Sequence, residues 1–253
     1  MSTTLRSRQD QALYPDSDGE PMSDNTVQFR WIFLIKEGLE YLFRDRPDVF
    51  VAGDLLWYYK EGDVKSRIAP DAMVVFGRPK GDRGSYRQWE EDGVAPQVVF
   101  EVLSPNNRDL EMARKFQTYD DLGVEEYYVY DPDKGSLQGW LRRDGRLHEI
   151  AAAELDGWVS PLLGVRFVPD EGPEALKLHH PDGSPFLTAL EMQEAAADAR
   201  ERAAEAERRA LAAARVQEAE RLRAETAERA KEAERLRAER LAARLRELGE
   251  DVD

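Results

Sequence analysis

The chain has 253 residues, 36 Lys and Arg against 51 Asp and Glu, a formal charge of -15 and no cysteine. The missing cysteine excludes a disulfide framework, a thiol nucleophile and a Cys-ligated zinc site, and His148, His179 and His180 do not fall at metal-ligand spacing. The first twenty residues hold no apolar signal segment, and no run approaches the ~20 apolar residues of a membrane helix, so the expectation is a soluble, cytoplasmic protein with no membrane partner.

Residues 1–25, rich in Ser, Asp, Gln and Pro, read as a mobile leader. From Thr26 to Arg44, apolar residues recur at Val27, Phe29, Ile32, Phe33, Ile35, Leu39 and Leu42, close to a 3.6 period. Asp24 or Asn25 can cap this first helix, and Pro47 follows it. Strands are expected over Val49–Tyr59, closed by Glu61-Gly62-Asp63, over Ile68–Phe76, closed by Gly77 and Pro79, and over Gln97–Leu103. Ser104-Pro105-Asn106-Asn107 supplies a turn and cap for a second helix, Arg108–Leu122, which Gly123 ends. A strand over Glu125–Asp131 and shorter ones around Leu137–Leu141, Leu147–Ile150 and Val165–Val168 complete a domain spanning 26–187. Helix, three strands, helix, strand and a small β extension fit an α+β fold around a mixed sheet.

The rest of the chain differs in kind. Thr188 and Glu191 form a capping box, no Pro or Gly intervenes before Leu248, and Gly249 suits a C-cap, so 188–249 reads as one long helix with a short tail, 250–253. Charged residues fill 31 of the 65 positions from Ala189 to Asp253, and the apolar seam is mostly alanine. A coiled coil that makes a homo-oligomer is expected, because a fully solvated helix needs no leucines at Leu236, Leu241, Leu245 and Leu248.

Two acids stand where an acid is costly. Glu101 interrupts Val98-Val99-Phe100-Glu-Val102-Leu103, and Asp71 lies within Ile68-Ala-Pro-Asp-Ala-Met-Val-Val75. Flanking aliphatics imply partial burial, and a buried carboxylate requires a cation or strong hydrogen bonds. If the second and third strands are neighbours, the two carboxylates can share a hard cation such as Mg²⁺; otherwise each pairs separately, Asp71 with an amide and Glu101 with an arginine. The acidic charge argues against broad phosphate contact along DNA, so a nucleic-acid partner would depend on a local cluster. Arg78, Lys80, Arg83 and Arg87, between the two acid-bearing strands, are the candidates, with Ser104 after the second of those strands as a fifth. Tyr86 and Trp89 in the same stretch either stack on a base or rest against the sheet.

Pro70-Asp71, Glu101-Val-Leu-Ser104, Glu111-Met-x-x-Lys115-x-x-x-Tyr119, Gly123-Val-Glu-Glu-Tyr-Tyr128 and Asp131-Pro132 together resemble the Uma-type (Uma-two) endonucleases of the PD-(D/E)XK restriction-endonuclease-like superfamily. The resemblance runs from about Thr26 to Val168. It implies a restriction-endonuclease-like central mixed sheet flanked by helices, Mg²⁺- or Mn²⁺-dependent DNA cleavage, and catalytic roles for Asp71 and Glu101. The metal would lie on those two acids and the carbonyl of Val102. The superfamily's strand lysine is replaced by Leu103, and Lys115 matches the family's lysine on the following helix. Ser104 would cap that helix or contact the metal-bound water. Tyr119 and Tyr128 read as core aromatics, and Glu37 and Glu40 could add a metal contact. Two other readings compete: a catalytically silent nucleic-acid-binding or regulatory module on the same fold, and a coiled-coil assembly protein.

Overall fold

The computed structural model describes residues 14–17, 19, 23–105, 109–169 and 176–247. They fall into two units, Met1–Thr188 and Ala189–Asp253. The first begins with helix α1, Thr26–Leu42, whose Asn25 cap accepts a hydrogen bond from the Gln28 backbone amide. The helix ends two residues before the expected Arg44. Ile32, Ile35 and Leu39 of the expected stripe face inward, joined by Trp31, whereas Phe29 and Phe33 of that stripe are exposed.

Six strands form the central sheet: β1 (Val49–Ala52), β4 (Ala72–Phe76), β6 (Val98–Val102), β7 (Glu126–Asp131), β8 (Ser136–Arg143) and β9 (Arg146–Glu149), in the order β1-β4-β6-β7-β8-β9. Only β6 and β7 pair in parallel, joined by the crossover helix α2, Asp109–Leu122; all other neighbours are antiparallel. The sheet is therefore mixed, as expected. Side chains alternate between its faces. Val49, Val51, Val74, Phe100 and Tyr128 join a core with α1, whereas Phe50, Met73, Val75, Val99 and Tyr127 join a second core with Tyr119 of α2.

Two expected strands are each broken. Val49–Tyr59 divides into β1 and β2 (Trp57–Tyr58), because Asp54 turns the chain in the left-handed region (φ 46) and its amide donates to the carbonyls of Pro70 and Asp71. Ile68–Phe76 divides into β3 (Arg67–Ile68) and β4 around Pro70, which has no N–H to extend a ladder. The pieces β2 and β3 join β5 (Tyr86–Arg87) in a separate three-stranded sheet of order β3-β2-β5. The expected order contained no β5, no short helix α3 (Ala152–Leu155) and no β11 (Leu176–His179), which pairs with β10 (Arg166–Pro169).

Part of the leader is held in place rather than mobile. Tyr14 is buried against Tyr58 and Trp89, and its hydroxyl accepts the Gly62 amide at 2.6 Å. Phe186 packs into the α1 core and donates its amide to Leu178, so the domain's last core residue precedes Thr188.

The second unit is helix α4, Ala189–Glu247, 59 residues and about 90 Å long at ~1.5 Å per residue. Ion pairs one turn apart, such as Arg209–Glu205 and Arg235–Glu239, line its surface. The expected last residue, Leu248, and the Gly249 cap lie outside the described residues. Among the described residues no helix is long and apolar enough to cross a membrane.

Candidate active site

The ladder register brings the two acids together. Ala72 pairs with Phe100 across β4 and β6, so Asp71, one residue before β4, stands opposite Glu101. Both share the parity of Met73 and Val99, the face covered by α2. Glu101 is 3% exposed and Asp71 9%. From α2, the Lys115 ammonium donates to Glu101 Oε2 at 2.7 Å and the Tyr119 hydroxyl donates to Oε1 at 2.6 Å. Lys115 also reaches the Ala69 carbonyl at 3.4 Å. Asp71 Oδ2 accepts the Val102 amide at 2.6 Å. Thus one strand neighbour and one helix converge on a single buried spot, and Lys115 and Tyr119 present one side of α2 because they are four residues apart.

Burial, and next the like charge of Glu101, push the Asp71 carboxyl well above the ordinary carboxylate range, against the pull of Lys115. Burial draws the Lys115 ammonium down, but the charges of Glu101 and Asp71 outweigh it, and the group ends above the usual lysine value. Burial and the Glu101 charge also hold the Tyr119 phenol well above its usual value, so it stays a proton donor to Glu101. Lys115 pairs with Glu101, and among the described residues no cation lies within ion-pair distance of Asp71, so ionising Asp71 would bring an uncompensated charge into a dry environment.

Gln28 is a site neighbour that periodicity did not single out. Its Nε2 donates to the Val102 carbonyl at 2.8 Å, and its Oε1 accepts the Asp24 amide at 2.8 Å. The Val102 residue is therefore held from both sides, its N–H by Asp71 and its C=O by Gln28. Asn25-x-x-Gln28 has capping-box spacing, a local signal, but the contact with Val102 spans 74 residues. Ser104 donates to the Asp24 carboxylate, tying the end of β6 to the start of α1. Whether it caps α2 lies outside the described residues, since 106–108 are not among them. Leu103, at the superfamily's lysine position, packs against the second core.

The expected phosphate-contacting residues are engaged elsewhere. Arg78 pairs with Asp92 at 2.5 Å, Lys80 with Glu40 at 2.7 Å and Arg83 with Glu91 at 2.6 Å. Arg83 also lies over the Phe50 ring, 3.9 Å from its centroid. Arg87 is 2% exposed and paired with Glu90, so it faces the interior rather than solvent. Glu37 and Glu40 pair with Lys36 and Lys80 rather than joining the acid pair. Trp89 rests on Tyr14, and Tyr86 is buried, stacked on Phe50 with its hydroxyl on the Val94 carbonyl. Tyr119 is both core aromatic, stacked on Trp57, and partner of Glu101.

The domain is thus a mixed sheet with α1 on one face and α2 on the other, and the acid pair lies under α2. Residues 20–168 match the profile of the Uma2 family, described as "Putative restriction endonuclease". The chain belongs to that family. Among solved structures it is similar to one described as "a putative nuclease belonging to DUF820" from Anabaena variabilis, at 14% identity and TM-score 0.40, over 52% of this chain and 70% of that one. No curated protein matches the chain.

Proposed function

We propose that the protein is a divalent-cation-dependent DNA endonuclease whose site is Asp71, Glu101 and Lys115. The observation that supports this most is the acid pair itself: two buried carboxylates stand opposite each other on adjacent strands, and the one ammonium beside them is paired with Glu101. Among the described residues no third acidic or histidine side chain joins them. Two carboxylates and the Val102 carbonyl, which keeps a second lone pair beside the Gln28 bond, suit Mg²⁺ or Mn²⁺, which retain most of their positions for water and phosphate oxygen. Bound there, such a cation would supply positive charge to the scissile phosphate and acidify an attacking water. The chain's own groups do the positioning. The Val102 amide aims Asp71, the Tyr119 hydroxyl holds Glu101, and Lys115, arriving from α2 instead of from position 103, offers its ammonium to charge that develops on the phosphate.

A catalytically silent nucleic-acid-binding module is the second reading. It is favoured by Leu103 and by the protein donor already on each oxygen of Glu101. One experiment separates the two: supercoiled, linear and single-stranded DNA incubated with the protein and Mn²⁺, with Asp71→Asn as control. Cleavage by the parent and its loss in the variant support the nuclease; no cleavage of any substrate by the parent ends it. Loss of fold will not explain the variant's inactivity, because Asp71→Asn is expected to melt higher than the parent without metal. A carboxyl held above its ordinary pKa of 3.8 stabilises the fold fully below that value and loses this contribution as pH rises through its folded value. The gain in the variant should therefore be absent near pH 3 and grow toward neutrality.

The long helix supports self-association in this reading. A seven-residue register starting at Ala189 and Met192 places Ala196, Ala199, Ala203, Ala206, Ala210 and Ala213 on one seam, and Ala238 and Leu241 later, with Gln217, Glu220, Lys231 and Glu234 between. In a parallel, in-register pair, Arg202 and Arg223 would face Glu207 and Glu228 of the second copy, whereas an antiparallel pair would set arginines against one another. A chain ending at Thr188, which keeps Phe186 in the core, is expected to sediment as a monomer while the full chain self-associates at micromolar concentration. Equal sedimentation of both would remove oligomerisation from α4.

A further inference from the structure

We propose that the β2–β3 hairpin, together with Arg114 of α2, is the surface that receives the phosphodiester backbone of duplex DNA. The identity of the polyanion rests on the nuclease reading; the location does not. Among the described residues of the domain, most cations are in ion pairs, including every one in the 77–90 stretch. Those without an ion pair are Lys60, Lys65, Arg67, Arg114, Arg143 and Arg166. Three of these six fall within one hairpin, and a fourth directly precedes Lys115. A cation already in a pair must surrender its carboxylate before it can neutralise a phosphate; an unpaired cation surrenders only water and counterions.

The hairpin also stands beside the acid pair. Its second strand continues from Ile68 through Ala69 and Pro70 into Asp71, and Lys115 grips the Ala69 carbonyl. Arg67 is four residues from Asp71, so their Cα atoms lie within about 15 Å, less than the width of a duplex. Of the two acids in the hairpin turn, Glu61 is exposed, and Asp63 is occupied by the Lys65 amide at 3.1 Å and the Ser66 hydroxyl at 2.8 Å, with the Lys60 charge a lesser influence on it. The turn is held for the task. Tyr14 packs edge-on against Tyr58, its hydroxyl takes the Gly62 amide, and the Tyr58 hydroxyl donates to the Pro15 carbonyl at 2.7 Å. Cations on a fixed hairpin lose less conformational entropy on binding than cations on a loose loop.

The test measures binding without turnover. Full-length Asp71→Asn protein and a fluorescent 30-base-pair duplex would be titrated by anisotropy in EDTA across 50–200 mM KCl. Adding Lys60→Ser, Lys65→Ser and Arg67→Ser should weaken binding at least about tenfold at 100 mM and reduce the slope of log K against log salt by about 2–3, as each lost phosphate contact removes ~0.9. Arg143→Ser with Arg166→Ser, equally unpaired but elsewhere, should change the slope by less than about one. The proposal is overturned if the hairpin variant keeps the parent slope, if the Arg143/Arg166 variant loses more, or if the parent fails to bind at 50 mM. Hairpin-dependent binding in a protein that never cleaves with Mn²⁺ would sink the nuclease reading and leave this surface standing. Should circular dichroism show the triple variant unfolded, Lys60→Ser with Lys65→Ser, both at exposed positions, carries the test with about two-thirds of the slope change.

Discussion

Lys115→Ala is expected to lose turnover and stability together, and the two losses can be told apart. Glu101 is 3% exposed, and its ion pair with Lys115 is 2.7 Å long. Removing one member of a buried pair typically costs about 3–5 kcal/mol because the survivor keeps its charge without compensation. In a domain of this size that lowers the melting temperature by roughly 2–4 °C per kcal/mol. The Lys115 ammonium is held above the ordinary value of 10.5, so its contribution is complete below that value and is lost only as pH rises through its folded value. The lysine's own contribution therefore stays constant from pH 6 to 9, whereas its loss raises the Asp71 carboxyl further, so the deficit should grow as pH rises. Turnover should fall by about 10²–10³-fold if the ammonium also stabilises charge on the phosphate. Mn²⁺ should raise the variant's melting temperature more than the parent's, since a cation on Asp71 and Glu101 then meets one less competing positive charge. An unchanged kcat with a lowered melting temperature would make Lys115 a structural ion-pair partner only.

Glu126→Ala should be the most destabilising single change with no effect on chemistry. Glu126 is fully buried near the start of β7, on the sheet face opposite Glu101, and no cation pairs with it among the described residues. Its carboxylate instead gathers donors. Leu162 gives its amide at 2.7 Å, Tyr128 its hydroxyl at 2.9 Å, and Ser160 its hydroxyl, while Trp158 Nε1 donates onward to the Tyr128 oxygen at 3.0 Å. These bonds fasten the Trp158–Leu163 segment onto the sheet. Alanine would strand three buried donors at about 1–3 kcal/mol each, partly relieved by rearrangement and water. A fall of ten degrees or more in melting temperature is expected, with kcat intact below the transition. Burial holds the Glu126 carboxyl above its ordinary value of 4.5 despite its donors, so the parent's advantage over the variant should be greatest on the acid side and shrink as pH rises through the folded value. A variant that melts within two degrees of the parent would show the network is dispensable.

The acid pair was legible because aliphatic residues on both sides of Asp71 and Glu101 mark burial, and burial of an acid demands a partner. The family spacing pointed to Lys115 on α2, but that it pairs with Glu101, where an arginine was the alternative, was decided by the fold. Gln28 and Glu126 were not legible as site and core residues. Neither breaks a local pattern, and both are explained only by contacts with Val102 and with the Trp158–Leu163 segment far along the chain. The basic cluster between the acid-bearing strands shows the same limit. Charge along the chain counts cations, but Lys80 is neutralised by Glu40 and Arg83 by Glu91, and those approaches belong to the fold.

From residue order alone came the elements whose cause is local. The α1 stripe follows from period 3.6, the central strands from aliphatic runs, and the long α4 from a cap at one end and no Pro or Gly for 60 residues. Tertiary structure alone decided that β2 and β3 leave the main sheet at Gly53–Asp54 and Pro70, that Tyr14 fastens the hairpin, and which cations remain unpaired. The division has one physical reason. Helix and strand propensity act through neighbours within a turn or a pleat, whereas the partner of a charge or a buried polar group is chosen by whichever distant segment the packed sheet brings within about 3 Å.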